Sequence, residues 1–508
     1  MRIQTTLYLV VLLGYNVIAQ TAHQYIFDQK IQHRWLDEYR NFLSIPNVLG
    51  DSVNMLRNAQ LIGELLKQNG VKSELLLSGE PNSAPVVYGE VMTPGATTTL
   101  AFYAHYDGQP VNPKQWAEGL EPFKPVLMSD RIDKDGKPIS FPTDKDWVQD
   151  DWRLYARSSS DDKAGVFAII KAYETLLKTG RKPTANIKFF FEGEEEAGSP
   201  NLDEVFERYK DKLKSDLWVI CDGPRNISGK KQIVFGVRGD VNIDLKVYAS
   251  KRPLHSGNYG NWAPNPAMRL AQLLSSMKDN NGNVLIEGFY DDVIPLSETE
   301  KHALAKIPPV EPILKEDLAL SKPDGNGKSF MELLTLPTLN INGMQSGNVG
   351  SMASNVIPTE AAAVIDLRLV LGNDAKRQVR KVYDHIMKQG YFIIDHEPSD
   401  EERKQHPLLA KLVMRGAGYN AQRTPMDLPI AQKVVKAIET TIDYEVIKVP
   451  SAGGSLPLYL FEQLLDAKPI TVPIVNYDNN QHAENENVIL KYLWEGIETM
   501  NAIMVVKL

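Results

Sequence analysis

The stretch Phe191-Glu192-Gly193-Glu194-Glu195-Glu196-Ala197-Gly198-Ser199 sets four carboxylates within five residues, directly after the apolar run Ile187-Lys188-Phe189-Phe190-Phe191. A run of this kind, closed by glycines, reads as a buried strand that exits into a turn. Four like charges at the end of a core strand repel one another and resist desolvation, and a divalent cation supplies the counter-charge they need. Taken alone, the same residues also describe a solvated acidic turn, because exposed glutamate is common. A fold built around a cation must bring further ligands to this strand end from elsewhere in the chain.

At 508 residues the chain is too long for one compact core, so two or more domains are expected. Its 43% hydrophobic and 24% charged content is that of a soluble globular protein. A net charge of -8 argues against a general nucleic-acid binder, so no nucleic-acid partner is expected. Arg2 precedes an apolar run over 7–18, and Val17-Ile18-Ala19 offers small or apolar residues where a signal peptidase reads. This is the pattern of a secretory signal over 1–19, with an uncleaved anchor as the alternative. The run is too short to span a bilayer as a helix, and no later segment has the continuous apolar length, so no membrane partner is expected after cleavage. Cys221 is the single cysteine, which excludes an intramolecular disulfide and a lipid-modified cysteine at the cleavage site. The expectation is a secreted or periplasmic protein that relies on its core and on metal.

Residues 61–70 read as an amphipathic helix ending at a glycine cap, followed by strands over 71–77, 86–91 and 98–104. Residues 111–152 are rich in Pro, Asp, Lys and Trp, show no period, and read as a long loop near the site. A helix over 162–179 and buried strands over 187–191 and 217–221 continue the alternation of an α/β fold, a mixed sheet with helices on both faces. Near Gly236-Val237-Arg238-Gly239 the pattern changes. Residues 241–247 alternate as Val-Asn-Ile-Asp-Leu-Lys-Val, the mark of a strand with one wet face. A helix over 266–278, a polar Pro-rich stretch to 328, strands over 339–342 and 361–370, a helix over 374–389 and a strand over 391–395 complete a small α+β sandwich. α/β character returns after 407 and ends in a helix over 488–500, while 396–428 carries no readable motif. The expected division is a signal over 1–19, a first catalytic part over 24–237, an inserted lid over 238–400 and a second catalytic part over 401–508.

Metal-type side chains recur in four further segments. In Ala104-His105-Tyr106-Asp107, His105 ends an apolar strand, where a bare imidazole needs a reason. Asp107 is placed to receive its other ring N–H, the arrangement that fixes the tautomer of a metal-binding histidine. Ser160-Asp161-Asp162-Lys163-Ala164-Gly165 opens a helix, where an N-cap aspartate is the plain account. Cys221-Asp222-Gly223-Pro224 puts an aspartate at a strand end, where turn formation alone explains it. Gln481-His482-Ala483-Glu484-Asn485-Glu486 follows a strand over 470–475 and otherwise reads as a polar loop. Together they supply two histidines and several carboxylates near strand ends of one sheet. Mixed N and O ligands suit Zn2+, with Mn2+ or Co2+ as alternatives. One carboxylate bridging two cations gives the two-metal site used by aminopeptidases.

These segments, in this order, resemble the M20 family of metallopeptidases, and more narrowly its carnosinase-like dipeptidases, over nearly all of the chain after the signal. The resemblance implies a phosphorylase/hydrolase-like mixed sheet plus an inserted α+β sandwich lid and dimerisation domain. It implies two divalent metal ions, one on His105, Asp161 and Asp222, the other on Asp161, Glu196 and His482, with Asp161 bridging and followed by a cis peptide. Glu195 is then the general base and Asp107 the partner of His105. Glu192 and Glu194 crowd the same run, so base and ligand are told apart there by family register alone. From the lid, the resemblance implies that His255 polarises the scissile carbonyl, often across a homodimer. It also implies that Arg368 grips the substrate carboxylate as a bidentate clamp, and that Asn355, Gly454 and Ser455 contact substrate. The implied activity is cleavage of the amide bond of dipeptides or short peptides, with a water between the metals activated by Glu195. Aspartate rather than glutamate at 222 implies the dipeptidase branch over N-acyl amino-acid deacylases, which remain the alternative. A non-catalytic binding protein on the same fold is expected to have lost ligands, and here they are all present.

Overall fold

In a computed structural model the protein is described over residues 22–143, 146–454 and 457–507, so the signal expected over 1–19 lies outside the described residues. The strands that organise the molecule are, in chain order, β1 (Ser73–Leu76), β2 (Val86–Val91), β3 (Thr99–His105), β4 (Asn186–Glu192), β5 (Leu217–Ile220) and β6 (Gln232–Val234). They continue with β7 (Gly239–Tyr248), β8 (Thr338–Gln345), β9 (Glu360–Leu369), β10 (Phe392–Ile394), β11 (Leu409–Tyr419), β12 (Ile447–Val449) and β13 (Pro469–Thr471).

Eight of them form the main sheet in the order β1-β2-β4-β3-β5-β13-β6-β12. The phenylalanine run lies in β4, and its alternation feeds both faces. Phe189 and Phe191 join Leu100 and Phe102 under the helices Lys163–Lys178 and Leu490–Met504. Phe190 points the other way, with its ring centroid 5.4 Å from Trp218 and 5.8 Å from Phe206. Helices therefore cover both faces, which is why the strand reads as continuously apolar rather than alternating. Each phenylalanine buried in this way contributes roughly 1.5–3 kcal/mol. The middle strands β4, β3, β5 and β13 are mutually parallel. Their C-terminal ends open on one edge, the place where open α/β sheets build ligand sites.

The second sheet runs β8-β9-β7-β11-β10. Strand β9 buries Ala361, Ala363, Ile365, Leu367 and Leu369 beneath the helices Pro266–Met277 and Ala375–Lys388, and leaves the alternate residues half-exposed. The boundary expected at 400/401 does not coincide with these sheets. Strand β11 pairs with β7 from Leu409 to Tyr419, so it belongs to the smaller sheet rather than to the returning catalytic part. The stretch 111–152, expected to be loop, also contributes strands. Val126–Met128 and Pro138–Ile139 join Arg153–Tyr155 and Asn487–Ile489 in a four-stranded sheet. Strands of two or three residues are too short to display a period. No described helix is long and apolar enough to cross a membrane.

Candidate metal centre

The parallel strands deliver the acidic and imidazole groups to one place. His105 is the last residue of β3, the turn Glu195–Ala197 follows β4, and Asp222 follows β5. Asp161 precedes the helix Lys163–Lys178, and its peptide bond to Asp162 is cis. Gly165 in the first turn of that helix has no room for a side chain: a Cβ would run into the Cys221 carbonyl and the Asp162 carboxylate. His482 arrives in a loop after β13 with φ of 63°.

His105 Nε2 lies 3.1 Å from Asp161 Oδ1, 3.7 Å from Glu195 Oε2 and 4.0 Å from Asp222 Oδ2. His482 Nε2 lies 3.0 Å from Asp161 Oδ2 and 3.3 Å from Glu196 Oε2. Two triads result, His105–Asp161–Asp222 and Asp161–Glu196–His482, each with ligand atoms within 4.8 Å of one another and with Asp161 in common. The cluster also holds polar atoms that protein groups leave unsatisfied. Asp222 Oδ1 is buried with no hydrogen-bond partner, and Asp161 Oδ2 meets His482 without hydrogen-bond geometry. Buried acceptors of this kind are costly unless a cation completes them, so the donor set fits a pair of divalent ions. Four of the five ligand side chains are buried, whereas that of His482 is 56% exposed and marks the open side.

Asp107 acts from behind. Its Oδ1 lies 3.3 Å from His105 Nδ1, and its carboxylate accepts the backbone N–H groups of Glu195 and Glu196 at 3.2 and 3.0 Å. One carboxylate thus fixes the imidazole and the acidic turn together. The four acids of the turn divide their work. Glu194 accepts from the Ala84 N–H and from Asn201, and Glu192 accepts from the Tyr103 hydroxyl, while Glu195 and Glu196 face the cluster. Asp162 accepts the Gly165 N–H as an N-cap and also the His105 N–H.

Two contributors were not singled out by the sequence. Gln109 donates to Glu196 Oε2 at 2.8 Å. Glu486, fully buried, accepts from Arg157 and from the backbone N–H groups of Ser158, Ser160 and Asp161. These roles depend on partners far away in sequence. The signal for Glu486 was only its place in the His482 segment.

Electrostatics follow from burial. Desolvation, then the charge of Asp161, raises the Glu196 carboxyl to about 8 and that of Asp222 to about 6. Burial pushes Glu195 well above the usual carboxylate range. The contact with the Asp161 carboxylate holds His482 up to about 9. For His105 burial pulls downward, but Asp107 and Asp161 outweigh it and raise the imidazole well above its usual value. Asp161 runs the other way, since its two histidines overcome burial and keep it below the carboxylate range. A raised pKa means that the folded chain holds the proton more tightly than the unfolded chain. That stabilisation is present at low pH and is lost as pH rises from the unfolded to the folded value. The windows are 3.8 to about 6 for Asp222, 4.5 to about 8 for Glu196 and 6.5 to about 9 for His482. Asp161 opposes the trend only below its unfolded value of 3.8. Metal-free protein is therefore expected to lose thermal stability between about pH 5 and pH 9, while cations that replace the protons hold it. Melting curves with and without chelator check this, and a flat metal-free profile contradicts it.

Two cavities meet here, with Glu195 and His482 lining both. One, of about 710 Å³, runs toward Tyr419 and Tyr459, whose rings stack 5.4 Å apart. The other, of about 430 Å³, runs toward Gly454. Ser455 lies outside the described residues. The lid residues are not brought to the cluster. His255 is exposed and accepts the Gly257 N–H, and Asn355 bonds beside it through its carbonyl to the Ser256 N–H. Arg368 sits on β9, facing Asp240 and Asp366 at 3.5 and 3.4 Å. None of the three lines either cavity: His255 and Asn355 lie at a separate two-stranded pairing of 254–255 with 356–357, and Arg368 lies on β9.

The arrangement has counterparts. The human Beta-Ala-His dipeptidase is 26% identical over 416 residues, 80% of this chain and 74% of its own length. The Cys-Gly metallodipeptidase of Candida albicans is 25% identical over 504 residues, 95% of this chain and 96% of its own. Among solved structures, the M20 family metallo-carboxypeptidase Sso-CP2 from Sulfolobus solfataricus superposes with a TM-score of 0.73 at 28% identity, covering 92% of this chain and 98% of that one. The sequence profile of peptidase family M20/M25/M40 matches residues 101–505, from within β3 to the last helix and through every segment that reaches the cluster. By that match the chain is a metallopeptidase and belongs to peptidase family M20/M25/M40.

Proposed function

We propose that this chain is a dipeptidase that hydrolyses the amide bond of dipeptides or short peptides at a centre of two divalent cations, Zn2+ first, with Mn2+ or Co2+ as alternatives. The observation that carries the reading is the pair of triads sharing Asp161, with the Glu195 carboxylate beside them and in neither. His105, Asp161 and Asp222 would hold one cation, and Asp161, Glu196 and His482 the other. When bound, the cations polarise the scissile carbonyl and acidify a water. Glu195 takes the proton of the attacking water and returns it to the leaving amine. Asp107 keeps His105 and the acidic turn in register throughout.

The names of the relatives, Beta-Ala-His and Cys-Gly dipeptidases, support dipeptides as substrates. The same reading assigns His255 to the scissile carbonyl across a homodimer, Arg368 and Asn355 to substrate from the lid, and export to the signal over 1–19. The test is hydrolysis of free-amine dipeptides beside N-acetyl amino acids, by metal-loaded and chelator-treated protein. Dipeptide turnover that vanishes with chelator and returns with cation is the expected result. A preference for acylated substrates moves the reading to a deacylase, and no turnover with two cations bound overturns it.

A further inference from the structure

The 430 Å³ cavity changes character as it leaves the cluster. Its near end carries Asp161, Glu195 and Asp222, and its floor then turns to Val234 and Val449 at the edge of the main sheet and to Val237 beyond it. Its roof comes from the polar, Pro-rich stretch that ends at 328 and from the residues just after it. There the short helices Glu311–Asp317 and Phe330–Leu333, with the residue that follows, place Leu314, Phe330 and Leu334 over the cavity. Met331 packs the roof onto Val234 and Val449. A Cβ at Gly453 would lie 3.1 Å from Leu334 Cδ2, so the glycine lets the roof close onto the 453–454 turn.

Arg225 is the cation in this wall, and its guanidinium turns away, pairing with Glu495 and lying 4.5 Å from the Tyr492 ring centroid. Away from the carboxylates the lining is largely apolar, with Asn226, Gln232 and Tyr477 as uncharged polar groups and Arg225 already paired. Phe330 remains 41% exposed there, a large ring left uncovered inside a concavity. A charged group entering this space loses hydration and meets no free counter-charge on the apolar walls, whereas an apolar group gains by burial.

We propose that this cavity is the specificity pocket of the centre and takes a bulky aliphatic or aromatic side chain of a short peptide whose scissile bond lies at the metal cluster. The inference rests on the hydrolase reading above and adds its substrate class. Continuity carries it: the carboxylates that would hold metal and the apolar roof line one cavity, so a side chain next to the scissile bond has this space to enter.

The test uses the metal-loaded full chain and two dipeptide series, X-Gly and Gly-X, with X as Gly, Leu, Phe, Asp or Lys. Both kcat/KM and calorimetric affinity are measured. In one series Leu and Phe are expected to exceed Gly by about 10- to 100-fold, with Asp and Lys below Gly. Leu314→Ser and Phe330→Ala are each expected to cut that preference about 5- to 10-fold. Equal treatment of all five residues in both series, or a preference untouched by both variants, overturns the pocket. If no peptide is hydrolysed, the hydrolase reading falls, and calorimetry still decides. Tighter binding of Leu and Phe peptides with a negative heat-capacity change supports the pocket, and equal affinities refute it.

Discussion

Replacing Glu195 by glutamine is expected to lower kcat by about 10²- to 10⁴-fold while both cations stay bound. The amide keeps the shape of the side chain and removes its ability to accept a proton. Glu195 belongs to neither triad, and its backbone N–H, rather than its side chain, is what Asp107 holds. The neighbouring substitution should behave differently. Glu196→Gln removes a ligand that shares Asp161 and His482, so cation stoichiometry and activity should fall together. Metal analysis of the two purified variants, beside their kinetics, separates base from ligand in a run where two carboxylates are adjacent. If Glu195→Gln loses a cation and Glu196→Gln keeps both, the roles are exchanged and the mechanism must be redrawn around Glu196.

The contrast bears on what a sequence can show. The acidic turn was legible because its cost is local: like charges next to a core strand need a reason whatever the rest of the chain does. Strands β3, β4 and β5 were legible because burial on both faces leaves an uninterrupted apolar run, and β7 and β9 because burial on one face leaves alternation. Strand β11 was not. Most of its length is partly or fully exposed, Gly416 and Gly418 lie at φ of 60° and 62°, and its pairing with β7 slips between Asp240 and Asn242. A bulged, solvent-facing strand carries neither kind of pattern. The roof of the apolar cavity was hidden for a similar reason. Leu314 lies in the proline-rich stretch and Phe330 and Leu334 just after it, and they acquire meaning only above Val234 and Val449. Among the residues that shape the centre, those that touch a cation by type announced themselves, and those that hold other residues in place did not.

Glu486 is the strongest case of the second kind, and replacing it by glutamine is expected to weaken cation binding by about 10- to 100-fold. One of its oxygens accepts the Arg157 guanidinium and the Ser158 N–H, each at 2.8 Å. The other accepts the Ser160 N–H and hydroxyl at 2.9 and 2.8 Å and the Asp161 N–H at 2.9 Å. This single carboxylate sets the path of the chain into the shared ligand Asp161. Glutamine turns an NH2 group toward donors and leaves the Arg157 cation buried without its counter-charge, a loss of about 3–5 kcal/mol in stability. Lower stability alone does not establish a positioning role, so a second variant is needed. The double change Arg157→Met and Glu486→Leu removes both charges, and a buried pair replaced by apolar groups often recovers its stability. The N–H groups of Ser160 and Asp161 still lack their acceptor, so cation affinity should stay low even where the melting temperature returns. Chelator competition measures the affinity and thermal melts measure the stability. Recovery of both together would mean that Glu486 only fills the core. Recovery of stability alone would show that the loop into Asp161 is held in ligand geometry by a carboxylate 325 residues away in the sequence.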